Sequence, residues 1–209
     1  MEEAIETIEY KGFKINIFRD EDARSPDDWG DENVFLVHYH RDFEVRRDEL
    51  ITEDELTDWY NGKKIEKQKQ YHLFLTKTYI HSGVVLALEE SGKMFPDERW
   101  DVSRCGCVLV SKKEVRTKKK AYQLAEGLVK TWNDYLSGSV YGYIIDGLED
   151  SCWGFYGDFE TSGIIEEAKV SVDYAIDKAM KKHGKKLKAY IKNNVSLEKR
   201  KTLKEALSI

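Results

Sequence analysis

Between Tyr10 and Phe18 the apolar residues Tyr10, Phe13, Ile15 and Ile17 alternate with lysine and asparagine, the two-residue period of a strand with one buried face. A polar loop over 19–32 follows, with Ser25-Pro26-Asp27-Asp28 as its turn signal. Val34–His40 is almost wholly apolar or aromatic and predicts a second, mostly buried strand. Thr52-Glu53-Asp54-Glu55 forms a capping box ahead of a short helix, which the pattern carries through Trp59 and Tyr60 to about Lys67. Tyr71–Ile80 and Gly83–Leu88 read as paired strands joined at His81-Ser82-Gly83, and Cys105–Val110 as another strand. Ala121, Leu124, Ala125, Leu128, Val129, Trp132, Tyr135 and Leu136 then recur at threes and fours, the stripe of an amphipathic helix that Ser137-Gly138 closes.

Val140–Ile145 and Asp150–Tyr156 form a hairpin with Gly147 in the turn, one face of which is expected to be core. Ile164–Met180 is amphipathic and helical, Gly184 interrupts it, and Lys185–Leu207 continues as a lysine-rich helix. The architecture predicted is α+β: a mainly antiparallel sheet packed by one long amphipathic helix, with a C-terminal basic helical extension. Residues 1–160 are the α+β domain and 161–209 the helical extension.

Composition adds limits. The chain has 209 residues, 41% of them hydrophobic, enough to fill a core. No apolar run approaches the roughly 20 residues of a membrane span, and the acidic start Met1-Glu2-Glu3 is unlike a secretory signal. Three cysteines, an odd number, make no disulfide framework, so reduced thiols in the cytoplasm and no membrane contact are the expectation. Charge is divided unevenly. Residues 1–60 hold 7 Lys/Arg against 19 Asp/Glu, whereas residues 178–209 hold 11 basic and 2 acidic side chains. Such asymmetry points to a polar partner, or to one end of the chain meeting the other.

The loop His81-Ser82-Gly83, then Trp100-Asp101 followed by a strand led by Gly106, and the run Tyr135-Leu136-Ser137-Gly138-Ser139-Val140-Tyr141-Gly142 resemble motifs of a family of small uncharacterised proteins encoded mostly by phages and other mobile elements. Asp150-Ser151-Cys152-Trp153-Gly154-Phe155-Tyr156-Gly157 closes the set, and Asp20-Glu21-Asp22, Pro26 and His38-Tyr39-His40-Arg41 look similar too. The resemblance covers about the first 160 residues. Val102-Ser103-Arg104 stands where that family usually has Ser-Gly-Gln, and the lysine-rich extension has no counterpart there. The resemblance implies a setting, a virus or mobile element within a host cell, and no reaction.

Candidate chemistry falls into four groups. His38 and His40, two apart on a strand, share one face and with Asp42, His72 or His81 would make a divalent-metal site. Cys105, Cys107 and Cys152, with His81, are a second weak metal set; satisfied histidines and buried thiols are the ordinary alternatives. Asp101, Asp150 and His81 suggest an acid–base group, against which stands the ordinary use of aspartates to bond turn amides. Trp153, Phe155, Tyr156, Tyr141 and Tyr143 offer stacking surfaces. No phosphate-binding loop, dinucleotide fingerprint or nucleophile elbow is present.

These features predict no catalytic residue and no cofactor. The leading expectation is a non-enzymatic accessory protein that binds a host or viral protein, in the manner of a counter-defence (anti-CRISPR or antirestriction) inhibitor, through Asp20, Glu21, Asp22, Asp27, Asp28, Trp153 and Tyr156. The alternative is non-specific nucleic-acid binding through Lys181, Lys182, Lys185, Lys186, Lys188 and Lys192, since lysine without arginine suits phosphates better than base edges. A small metal-dependent hydrolase built around His81, Asp101 and Cys152 is the third expectation.

Overall fold

The computed structural model describes residues 3–29, 33–148 and 150–200. In chain order the elements are β1 (Glu6–Tyr10), β2 (Phe13–Arg19), β3 (Val34–His40), β4 (Phe43–Val45), α1 (Glu53–Tyr60), β5 (Tyr71–Ile80) and β6 (Val84–Leu88). They continue with α2 (Glu98–Asp101), β7 (Val102–Ser111), α3 (Lys118–Leu136), β8 (Val140–Ile145), β9 (Asp150–Tyr156) and α4 (Ile164–Asn194). The class is α+β, with the strands shared between two antiparallel sheets, ordered β1-β2-β8-β9 and β4-β3-β7-β5-β6.

The chain forms two compact units, each discontinuous in sequence, rather than parting at residue 160. One comprises 1–18, 143–152 and 163–209, and the other 19–142 and 153–162.

In the first unit, the single strand expected over Tyr10–Phe18 is a hairpin. Lys11 and Gly12 occupy its two-residue turn at φ 50° and 84°, and Tyr10 pairs with Phe13. A two-residue turn with both central φ positive matches the twist of its strands, and glycine takes that geometry without a Cβ penalty. Ile15, Ile17, Tyr143 and Ile145 from the strands and Ile164, Ala168 and Val172 from α4 are fully or almost fully buried. Spacing of i, i+4, i+8 puts the three helix residues on one face, which is the face this unit buries. Lys11 pairs with Asp173 at 2.7 Å, and the Tyr143 hydroxyl lies 3.1 Å from Ser171 Oγ.

The second unit places its five-stranded sheet between α3 and α1. Ala121, Ala125, Val129 and Trp132 of α3 cover Leu36, Phe74, Leu86, Leu88, Val108 and Val110. The opposite face packs Val37, Tyr39, Leu73, Cys107 and Leu109 with Ile51 and Leu56. Each large side chain withdrawn from water in this way contributes about 1.5–3 kcal/mol. Asn133 ties α3 to β6, its side chain accepting from Leu86 N (2.8 Å) and donating to Leu86 O (3.0 Å). The capping box of Thr52 and Glu55 forms as its sequence predicts, but α1 stops at Tyr60 and does not reach Lys67. Asn61 caps it and Gly62 follows at φ 82°, leaving only a 3-10 turn over Glu66–Lys69.

At the middle of this sheet Gly106 pairs with both His38 and Thr76. A Cβ there would strike the His38 ring and come within 2.6 Å of Thr76 Oγ1, so the close approach of three strands requires glycine.

Candidate nucleic-acid interface

α4 has 31 residues. From Asp177 to its end every residue is exposed except half-buried Gly184 and Ile191. The helix runs through Gly184, which therefore does not interrupt it; the break falls at Val195. One interior glycine costs about 1 kcal/mol, a penalty that the surrounding lysine, alanine and leucine, all good helix formers, offset. Arg200 stabilises the C-terminus, its guanidinium donating to Val195 O (2.6 Å) and Lys192 O (2.5 Å). It thereby supplies two of the donors that the last carbonyls of a helix lack. The continuation expected beyond residue 200 lies outside the described residues.

Over residues 178–194 the helix carries Lys178, Lys181, Lys182, Lys185, Lys186, Lys188 and Lys192 and no acidic side chain. Among the described residues none of these lysines makes an ion pair. At 3.6 residues per turn, all but Lys186 fall within an arc of about 120°, and from Lys178 to Lys192 they span about 21 Å. Duplex DNA presents a phosphate on each strand about every 3.4 Å of axis, so the lysine row is matched in length to roughly six phosphates of one strand. A cavity of about 400 Å³ opens along it between Tyr174, Asp177, Lys178, Lys181, Lys182 and Lys185. Sequence reading singled out six of the seven lysines; Lys178 joins them because it sits one turn earlier on the same face.

The acidic residues are disposed differently. Asp27 is engaged by Arg47 at 2.7 Å, Glu44 by Arg46 at 2.8 Å and Asp58 by Lys63 at 2.6 Å. The Arg46 guanidinium holds the Glu44 carboxyl below the usual carboxylate range. Glu55 is taken up by the capping box, and Asp48 accepts from the Tyr39 hydroxyl at 2.9 Å. Asp20 is half-buried, while Glu21, Asp22 and Asp28 are exposed. The Tyr156 hydroxyl donates to the carbonyl of Arg24, so this residue does meet the acidic loop. Trp153 is exposed. No residue of β9 is buried, which corrects the expectation that one face of that strand is core: β9 is the edge of its sheet.

The histidines and cysteines separate. His38 is fully buried, with Nδ1 donating to the Phe43 carbonyl at 2.7 Å and Nε2 accepting from Thr78 Oγ1 at 2.6 Å. Both ring nitrogens are thus occupied, although His40 does lie on the same side, ring to ring at 6.5 Å. His72 bonds the Val115 carbonyl at 2.9 Å. Cys107 is a core residue whose thiol is pushed up to about 12 by burial, Cys105 lies 3.5 Å from Ser103 Oγ, and Cys152 is exposed. Among the described residues no three His, Cys, Asp or Glu side chains are grouped so as to hold a metal ion.

His81 and Asp101 do come together, Nδ1 to Oδ2 at 3.5 Å. Because β7 is antiparallel to both β3 and β5, its N-terminal end meets their C-terminal ends at one end of the sheet. There a cleft of about 220 Å³ is lined by His40, Arg41, Asp42, Trp100, Asp101 and Ser103, among others. Lys77, buried in the sheet, bonds Glu98 at 3.0 Å and the Lys93 carbonyl at 3.1 Å, which fixes the segment bearing Trp100 and Asp101. Among the described residues no hydroxyl or thiol hydrogen-bonds to His81, so the couple has no nucleophile poised beside it. Asp150 is exposed and belongs to the first unit, His81 and Asp101 to the second.

Burial pushes the His38 imidazole from its ordinary 6.5 down to about 4, against the opposing pull of the Phe43 carbonyl. Between these values the unfolded chain takes up a proton that the folded chain refuses, so stability falls as pH falls through that window. From pH 7 to pH 5 the second unit is expected to lose about 2 kcal/mol from this residue alone. Urea unfolding at the two pH values measures it, and a flat profile would contradict the burial of a neutral His38.

The fold and surface define an α+β protein with an exposed, lysine-bearing helix. Comparison with protein-family profiles, with curated proteins and with solved structures finds no match to the chain. Among the described residues no helix is long and apolar enough to cross a membrane.

Proposed function

We propose that this protein binds nucleic acid without sequence preference, through the lysine face of α4. One observation carries the reading: over residues 178–194, all exposed but Gly184 and Ile191, the helix bears seven lysines with no carboxylate among them and, among the described residues, no ion pair to neutralise them. A row of cations so placed displaces the counterions condensed on a polyphosphate, which is the source of sequence-independent affinity. Lysine acts as a point charge and lacks the bidentate fork that reads guanine, so the contacts position the backbone and leave the bases unread.

The acidic third is neutralised in part, since Asp27, Glu44 and Asp58 have cationic partners within their own unit, while Glu21, Asp22 and Asp28 stay exposed. The likeness to mobile-element proteins bears on the setting, a cell where phage or host nucleic acid is the abundant polyanion. The test is to titrate two fluorescein-labelled duplexes of equal length and unrelated sequence with the full chain at 50 mM salt. Dissociation constants agreeing within about twofold are expected. A difference above about tenfold would mean that bases are read and would sink the non-specific reading.

A further inference from the structure

The side of α4 opposite the lysines has its own order. Ile176, Met180, His183, Leu187, Tyr190 and Asn194 follow one another at intervals of four, three, four, three and four residues. Alternating steps of four and three are the seam of a two-stranded coiled coil, not the broad stripe of a helix lying on a sheet or a lipid surface. Met180, Leu187 and Tyr190 are 67%, 56% and 64% exposed. Among the described residues nothing covers this seam beyond half-buried Ile176.

We propose that α4 pairs in parallel with α4 of a second copy of this chain through Ile176, Met180, Leu187 and Tyr190. The distribution of charge selects that occupant. At 100° per residue the seam and the row Lys178, Lys181, Lys182, Lys185, Lys188 and Lys192 are centred about 180° apart, so joined seams leave these lysines pointing outward. Lys186 alone flanks the seam, and in a parallel pair it lies beside Ile191 of the second copy, where its aliphatic stem packs without meeting another lysine. Asn194 in the seam favours a parallel, in-register pair by matching its own counterpart. The inference goes beyond the nucleic-acid reading and stands on the other side of the helix; if both hold, one dimer presents two lysine rows.

Because the outer faces over residues 178–194 carry only positive charge, the two helices repel each other, and salt screens that repulsion while leaving the apolar seam intact. Self-association is therefore expected to strengthen with salt, the opposite of the trend for nucleic acid. Sedimentation equilibrium of the full chain without nucleic acid, at 0.1 M and 1 M NaCl, tests this. The expected result is a monomer–dimer equilibrium whose dissociation constant falls several-fold at the higher salt. Leu187→Asp should raise that constant at least tenfold, and Lys185→Glu, on the outer face, should leave the dimer in place. Leu187 is exposed, so the variant keeps the core, which an unchanged thermal melt confirms.

A chain monomeric at both salts up to 0.2 mM overturns the proposal. So does a dimer indifferent to Leu187→Asp. A monomer that instead co-sediments with phosphatidylcholine–phosphatidylserine vesicles in a Leu187-dependent way assigns the seam to lipid and also overturns it. Since no nucleic acid is present, each outcome is separate from the fate of the proposed function.

Discussion

Replacing Lys178, Lys181, Lys182, Lys185, Lys188 and Lys192 by glutamine is expected to weaken binding to a random-sequence duplex by about a hundredfold or more at 50 mM salt. The magnitude follows from counterion release. Each lysine set against a phosphate frees condensed cations, and a protein making six or more such contacts changes affinity by about three orders of magnitude between 50 and 200 mM salt. Removing the six positive charges removes that term, while glutamine keeps the length and helix propensity of the side chain. Circular dichroism should show the helix retained, because these residues are exposed and make no ion pair among the described residues. Fluorescence anisotropy against the same duplex measures the loss. A variant that binds as tightly as the parent would mean that the phosphates are held elsewhere.

The largest effect on stability is expected at Gly106. Three strands converge there, and a methyl group would overlap the His38 ring and approach Thr76 Oγ1 to 2.6 Å. His38 has no room to give, because Phe43 O and Thr78 Oγ1 fix both ring nitrogens and the residue is fully buried. Gly106→Ala should therefore destabilise the second unit by about 3 kcal/mol, at the upper end of what overpacking a core costs. Some of that loss is the hydrogen bonding of a displaced histidine. Differential scanning calorimetry should show a melting temperature lower by about 6–12 °C for a unit of this size. An unchanged melt would mean that the strands do not approach as closely as the structure shows.

What could be read from the sequence divides along the reach of the signals. The capping box at Thr52 and the stripe of α3 are local and strong, and both form where expected. β1 escapes a reading of apolar alternation because Glu6 and Glu9 place charge on a strand that is mostly exposed. The partition into two sheets is not local at all. β2 lies beside β8, more than a hundred residues later, and no period in either segment records that choice. The aromatics of 150–157 suggest core, yet β9 is an edge, and an edge strand has no second neighbour to bury it.

The candidate site was legible for the same reason as α3: lysines at helical spacing define a face once the helix is granted. Gly184 obscured its length, since a glycine among lysines reads as a stop, whereas its cost of about 1 kcal/mol is small beside the eleven lysine, alanine, methionine and leucine residues of 178–194. His81 and Asp101 were legible only as residue types. Their meeting at 3.5 Å depends on β7 running antiparallel to β5, which is tertiary information.

The salt dependence of duplex binding by the unmodified chain tests the central claim most directly. If the lysine face of α4 neutralises about six phosphates, a plot of log association constant against log salt concentration is a straight line with a slope of about −5. A slope shallower than about −2, or no binding at 50 mM salt, would contradict the account.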